Sequence, residues 1–147
     1  MTNREAGEEL IRMARELFGR DVQGAWQAES YNLTIRRAQE TVELALKGAL
    51  RILGTDYPKV HDVGSLFAEQ AQRKIPGVDK AMLGQMAGVS RRLTAARTPA
   101  FYLERRYGEV EARQAVTDAR FVLEAVERMT RTEGERQKDT PIDHRPG

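Results

Sequence analysis

The sequence contains no cysteine and only two histidines, His61 and His144. The absence of cysteine excludes disulfide bonds, thiolate nucleophiles and cysteine-ligated zinc. Two histidines this far apart in the chain argue against a histidine-rich metal centre. We therefore expect neither a metal ion nor another cofactor.

Long hydrophobic runs are also absent. No apolar segment approaches the ~18 residues that a membrane span needs, and residues 1–20 lack the apolar core of a secretory signal. We therefore expect a protein that does not enter a membrane and that resides in the cytoplasm. With 147 residues, of which 40% are hydrophobic, the chain is long enough to fold as one domain around its own core.

Positive charge is concentrated in one segment. The net charge of the chain is +2, but residues 88–106 contain five arginines and one acid, Glu104, which gives this segment a net charge of +4. Guanidinium groups bind phosphate in a bidentate manner, so the segment suits a nucleotide or RNA ligand. It equally suits a solvated helix face or an acidic partner. The arginines are Arg91, Arg92, Arg97, Arg105 and Arg106.

Apolar side chains recur every three or four residues through most of the chain, which indicates amphipathic helices. No alternation with a period of two is long enough to predict a strand. The expected fold is therefore all-α, an up-and-down bundle of five helices. We predict helices over residues 4–18, about 23–53, 63–74, 79–97 and 109–129.

Glycine and proline predict where these helices end. Gly19 and Gly54 are well placed as C-terminal stops. Thr98 and Pro99 are typical of an N-cap and the first residue of a new helical turn. The periodicity ends at Thr130, so residues 1–129 are predicted to form the bundle and residues 130–147 a polar, disordered tail.

Motifs that carry chemistry are scarce. The chain has no phosphate-binding loop, dinucleotide fingerprint or nucleophile elbow. Glu40 and Glu43 lack the neighbouring histidine that a di-iron bundle requires. Glu43 and Lys47 are spaced for an ordinary pair on the helix surface, which contributes about 0.2–0.5 kcal/mol. We interpret His61, in a turn before a helix, as a capping residue at the end of the long helix rather than a catalyst.

One pattern joins the long helix, the turn that follows it and residues 97–108 before the last helix. In the helix and turn it consists of Ala38-Gln39-Glu40, Glu43, Lys47, Gly54, Pro58 and His61. The pattern resembles the HEPN domain (higher eukaryotes and prokaryotes nucleotide-binding). The resemblance covers about residues 25–129 and implies a five-helix bundle that forms a homodimer.

The resemblance implies three alternative functions. Some HEPN proteins are metal-independent ribonucleases with an Arg-x4-6-His motif, some act with a minimal nucleotidyltransferase in a toxin–antitoxin pair, and some bind nucleotides or RNA without cleavage. Here Arg97 is followed by Tyr102 where the motif has histidine. A tyrosine with a pKa near ~10 is a poor general base at neutral pH. We therefore predict a dimeric binding module without catalytic residues, which acts with a partner such as a minimal nucleotidyltransferase of the toxin–antitoxin type. The alternative is a ribonuclease with a non-standard site, to which His61 contributes across a dimer.

Nucleotide or RNA binding is predicted to depend on arginines that clamp phosphate and a tyrosine that stacks on a base. The alternative is that Phe101 and Tyr102 fill the end of the bundle. The predicted binding residues are Arg97, Tyr102, Arg105, Arg106 and His61.

A homodimer is also expected from the long helix itself. Its apolar stripe is wide and includes small residues, which allow a second helix to approach closely. These residues are Ala38, Ala45, Gly48 and Ala49.

Overall fold

The computed structural model describes residues 1–131. Most of the predicted tail therefore lies outside the described residues. Between residues 1 and 131 the chain forms helices and no strand. Helix α1 has three consecutive segments, an α-helix Asn3–Glu16, a π-helix Leu17–Val22 and an α-helix Gln23–Gln27. The others are α2 (Tyr31–Ile52), α3 (Gly64–Lys74), α4 (Lys80–Phe101) and α5 (Glu109–Thr130).

Helix α2 lies at the centre of the bundle and contacts each of the other four helices. Half of its 22 residues are buried, which explains why its apolar stripe is so wide in the sequence. The all-α, five-helix prediction is confirmed.

Among residues 1–131, none of the helices combines the length and the hydropathy that a membrane span requires.

The small residues of α2 are buried inside the single chain. Ala38, Ala45 and Ala49 are fully buried in the core. At Gly48, helix α1 crosses so closely that an added Cβ would lie 2.7 Å from the carbonyl oxygen of Gly7. The stripe is therefore not available for the dimer contact that we expected of it.

The predicted end of the first helix at Gly19 is wrong. Gly19 is not among the glycines with positive φ, and the helix widens into a π-helical turn and continues. Val22 and Ala25 are buried beyond it, so apolar burial extends the helix past the glycine. The chain turns at Glu29 instead, with φ 58°, and the second helix begins at Tyr31 rather than near residue 23. The stop at Gly54, with φ 74°, is confirmed.

The predicted break at Thr98 and Pro99 is also wrong, because α4 continues to Phe101. Proline lacks an N–H and crowds the carbonyl four residues before it, but its φ lies in the helical range, so a helix can continue past it at a cost. Ala100, directly after it, is buried. Beyond it, Leu103 takes a left-handed φ of 55°, and the Glu104 N–H closes the helix on the Pro99 carbonyl at 3.0 Å. This additional turn of α4 positions Phe101 and Tyr102 at its end.

Candidate functional site

Polar side chains from three elements meet between helices α2 and α4. We call this group the polar seam. Helix α2 supplies most of it, α4 supplies one arginine, and the loop before α3 supplies one histidine. Its residues are Gln39, Glu40, Glu43, Lys47, His61 and Arg97.

The carboxylate of Glu43 accepts three hydrogen bonds in the polar seam. Lys47 Nζ donates to Oε2 at 2.7 Å, while His61 Nδ1 and Gln39 Nε2 lie 2.7 and 3.0 Å from Oε1. The side chains of Glu43 and Lys47 are only 18% and 15% exposed. The predicted ordinary surface pair is thus a mostly buried one. His61 contacts this carboxylate, whereas we expected it to cap the end of the long helix.

Glu43 is ionised at neutral pH. Burial opposes ionisation, but the hydrogen bonds from Lys47, Gln39 and His61 outweigh it and hold the pKa of Glu43 below its usual value. The polar seam therefore contains a permanent acceptor at its centre.

This lowered pKa predicts how stability depends on pH. A carboxyl with a lower pKa in the folded state stabilises the fold above its unfolded pKa, and the contribution is lost as pH falls through the folded pKa. We expect Glu43→Gln to lower the free energy of unfolding by about 1–3 kcal/mol at neutral pH. Urea denaturation would be measured at pH 7 and in steps below pH 4.5, the ordinary pKa of the carboxyl. The difference in the free energy of unfolding between wild type and Glu43→Gln should become smaller as the pH falls. An undiminished difference at low pH would contradict this account.

Arg97 is held at one edge and open at the other. Its NH1 group donates to Gln39 Oε1 at 2.8 Å and to Glu40 Oε1 at 3.3 Å. A guanidinium has five N–H donors, and those on Nε and NH2 have no hydrogen-bond partner within residues 1–131. The side chain is 24% exposed. Arg97 also lines a surface cavity, so its unpaired N–H groups, which we call its open edge, can donate hydrogen bonds to a phosphate.

The structure brings two predicted binding residues, Arg97 and His61, into one network. Three hydrogen bonds connect them, through Gln39 and then Glu43. The polar seam was not foreseen as a unit, because the contact of Arg97 with Gln39 joins residues 58 positions apart in the sequence.

Two exposed aromatic rings lie next to Arg97 at the end of α4. Phe101 and Tyr102 are 51% and 67% exposed, so the alternative that they fill the end of the bundle is wrong. Their ring centroids are 4.8 Å apart, and the Arg36 guanidinium lies 4.5 Å from the centre of the Phe101 ring. Arg97, Thr98 and both rings line a cavity of about 230 Å³. We call this surface the aromatic end of the polar seam.

The remaining predicted residues lie elsewhere. Arg105 packs over the ring of Tyr107 at 4.6 Å and donates to Glu111 at 3.3 Å. It lines a larger groove between α4 and α5 rather than the polar seam. Arg106 is exposed in the loop between these helices. Arg36, which was not predicted from the sequence, contacts the aromatic end through the Phe101 ring.

The groove between α4 and α5 has a volume of about 850 Å³. Its floor is apolar, and its rim carries three carboxylates and two guanidiniums. Because the rim is acidic overall, it suits a phosphate less well than the aromatic end does. The charged groups are Glu104, Glu111, Asp118, Arg92 and Arg105.

The fold and site define a helical bundle with a cationic and aromatic surface at the C-terminal end of α4. The model of the HEPN domain family matches residues 7–129. The chain therefore belongs to the HEPN domain family, which relates it to nucleotide- or RNA-related functions. No curated protein and no solved structure shows a significant match.

Proposed function

We propose that this HEPN domain binds a nucleotide or single-stranded RNA at the aromatic end of the polar seam, without cleaving it. The observation that carries the proposal is the open edge of Arg97 beside the exposed rings of Phe101 and Tyr102. The guanidinium can bind a phosphate, and an exposed ring beside it can stack on the neighbouring base.

The charges around this surface favour an anionic ligand. Arg36, Arg37 and Arg97 outnumber the one acid among them, Glu40, which is shared between Arg37 and Arg97. Arginine binds phosphate through paired N–H donors, and an exposed tyrosine stacks on an unpaired base of any sequence. A base within a duplex is already stacked on its neighbours, so we expect single strands to bind more tightly than duplexes.

Binding without cleavage is favoured by Tyr102, which occupies the position of the histidine in the ribonuclease motif. A ribonuclease remains the second candidate, because His61 and Arg97 share one hydrogen-bond network. Incubation of labelled RNA with wild type and with Arg97→Ala would separate the two proposals. Cleavage that depends on Arg97 would support the ribonuclease, and cleavage that does not would indicate a contaminant.

Fluorescence anisotropy with a labelled single-stranded RNA tests the binding proposal. If the site neutralises two phosphates, raising the salt from 50 to 200 mM should weaken binding about sevenfold, because the affinity of single strands falls with a log–log slope of about −0.7 per phosphate. A salt-independent affinity, or no binding at low salt, would contradict the proposal.

We further propose that the protein acts in the cytoplasm as a homodimer and with a partner such as a minimal nucleotidyltransferase of a toxin–antitoxin pair. The open groove between α4 and α5, with Val110 75% exposed on its rim, supports a contact of this kind. Light scattering of the purified protein should give the mass of a dimer at micromolar concentration. A monomer would contradict the dimer, and failure to co-purify with a co-expressed nucleotidyltransferase encoded beside it would contradict the partner.

A further inference from the structure

The side-chain amide of Gln39 links Glu43 to Arg97 in the polar seam. Gln39 is 1% exposed. Its Nε2 donates to Glu43 Oε1 at 3.0 Å, and its Oε1 accepts from Arg97 NH1 at 2.8 Å. Glu43 itself has no direct hydrogen bond to Arg97 within residues 1–131, so the hydrogen-bonded connection between them runs through the amide, beside any direct effect of the charge of Glu43.

The two ends of this link allow only one orientation of the amide. An ionised carboxylate only accepts hydrogen bonds, and a guanidinium only donates them. The NH2 group of Gln39 must therefore face Glu43, and its oxygen must face Arg97. Burial makes the wrong orientation costly, because it would leave buried donors unsatisfied.

We propose that Glu43 and Gln39 are positioning residues that hold Arg97 with its open edge toward the phosphate of the ligand. This inference rests on the proposed function. Lys47 and His61 anchor Glu43 at 2.7 Å each, so the position of the arginine depends on contacts two side chains away from it.

The substitution Glu43→Gln separates positioning from simple electrostatics. Lys47 only donates, so the new amide turns its oxygen to Lys47 and its NH2 group to Gln39. The oxygen of Gln39 must then turn toward position 43 to accept from this NH2 group. The NH2 group of Gln39 then faces Arg97, so that two donors face each other and no hydrogen bond forms. Positioning predicts RNA binding about three- to tenfold weaker. Simple electrostatics predicts tighter binding, because a negative charge has been removed.

A double substitution provides the rescue. In Q39E/E43Q the carboxylate lies one helical turn closer to Arg97, accepts from it directly, and also accepts from the amide at position 43. The net charge equals that of wild type. We expect its affinity to return to within about twofold of wild type. Arg97, the amide at position 43 and Lys47 again donate to acceptors, and His61 Nδ1 can accept from that amide in the other tautomer of the ring.

The control for the removed charge is Glu9→Gln. Glu9 lies on α1, which does not contact α4 in the described chain. The removed charge is the same, but Glu9 pairs with Arg12 on its own helix and makes no hydrogen bond to the polar seam within residues 1–131. We expect this variant to bind RNA as tightly as wild type does.

The experiment measures the affinity of the labelled single-stranded RNA for wild type, E43Q, Q39E/E43Q, E9Q, R97A and E43Q/R97A, with folding checked by circular dichroism. Positioning predicts that E43Q weakens binding in the wild-type background and adds nothing in the R97A background. An equal loss in both backgrounds, or an E43Q affinity at or above that of E9Q, would overturn the inference. Unchanged binding by R97A would instead overturn the proposed function.

Should E43Q fail to fold, Gln39→Met serves as the second variant. It removes the link while leaving the bonds of Glu43 to Lys47 and His61 in place. Positioning predicts the same weakening of about three- to tenfold for this variant, and full affinity would overturn it.

Discussion

Replacing Gly48 with alanine is expected to lower the free energy of unfolding by about 1–2 kcal/mol, because a clash with backbone puts the overpacking cost at the upper end of its usual range of about 1–3 kcal/mol. The new Cβ would lie 2.7 Å from the carbonyl oxygen of Gly7 and 2.8 Å from Cγ1 of Ile11. The first of these atoms belongs to the backbone, so helix α1 as a whole would have to move. This cost exceeds the gain of about 1 kcal/mol that alanine brings to a helix in place of glycine.

The same substitution at Gly84 is the matched control. Gly84 lies in α4, is exposed, and has no atom within 4 Å of an added Cβ. Only the helix propensity changes there, so Gly84→Ala should stabilise the protein by about 0.5–1 kcal/mol. Chemical denaturation measures both variants. If both stabilise the fold, α1 and α2 do not cross as closely as described.

Replacing Arg97 with alanine is expected to weaken RNA binding by about 10- to 100-fold, since a charge-assisted hydrogen bond contributes about 1.5–3 kcal/mol. Arg97→Lys keeps the charge but loses the planar pair of donors. It should therefore bind more weakly than wild type and more tightly than Arg97→Ala. Anisotropy titrations at one fixed salt concentration measure all three proteins.

Arg12→Ala is the matched control for the loss of one positive charge. Arg12 lies on α1 and pairs with Glu9 and Glu16, away from α4. We expect it to bind RNA within about twofold of wild type, because exposed charges beyond ~10 Å are largely screened. If Arg12→Ala and Arg97→Ala lose RNA affinity equally, only the net charge of the protein determines binding.

Local sequence patterns predicted the helices but not all of their ends. The apolar stripe of α2 was recognised because burial repeats every three to four residues. The predicted ends at Gly19 and at Pro99 were wrong because contacts beyond these residues keep the helix going. Val22 and Ala25 are buried past Gly19, and hydrogen bonds to the carbonyls of Thr98 and Pro99 close α4.

The candidate site could be predicted only in part, because its contacts join distant segments. Arg97 and His61 were identified from charge and from the turn, but their connection depends on Gln39. That residue lies 58 positions before Arg97, and although the pattern around it was recognised, nothing in that pattern predicts its contact with Arg97. Arg36 was missed for the same reason, since its contact with Phe101 is a product of the packing of α2 on α4.

The most direct test of the binding site is a titration of isotopically labelled protein with unlabelled single-stranded RNA, followed by the backbone amide shifts in NMR spectra. We predict that the largest changes in amide shift fall in residues 36–40 and 97–102 and that the amide shifts of Asn3–Glu16 in α1 do not change. Largest shifts in residues 110–118, along the groove between α4 and α5, or no shifts at all, would contradict it.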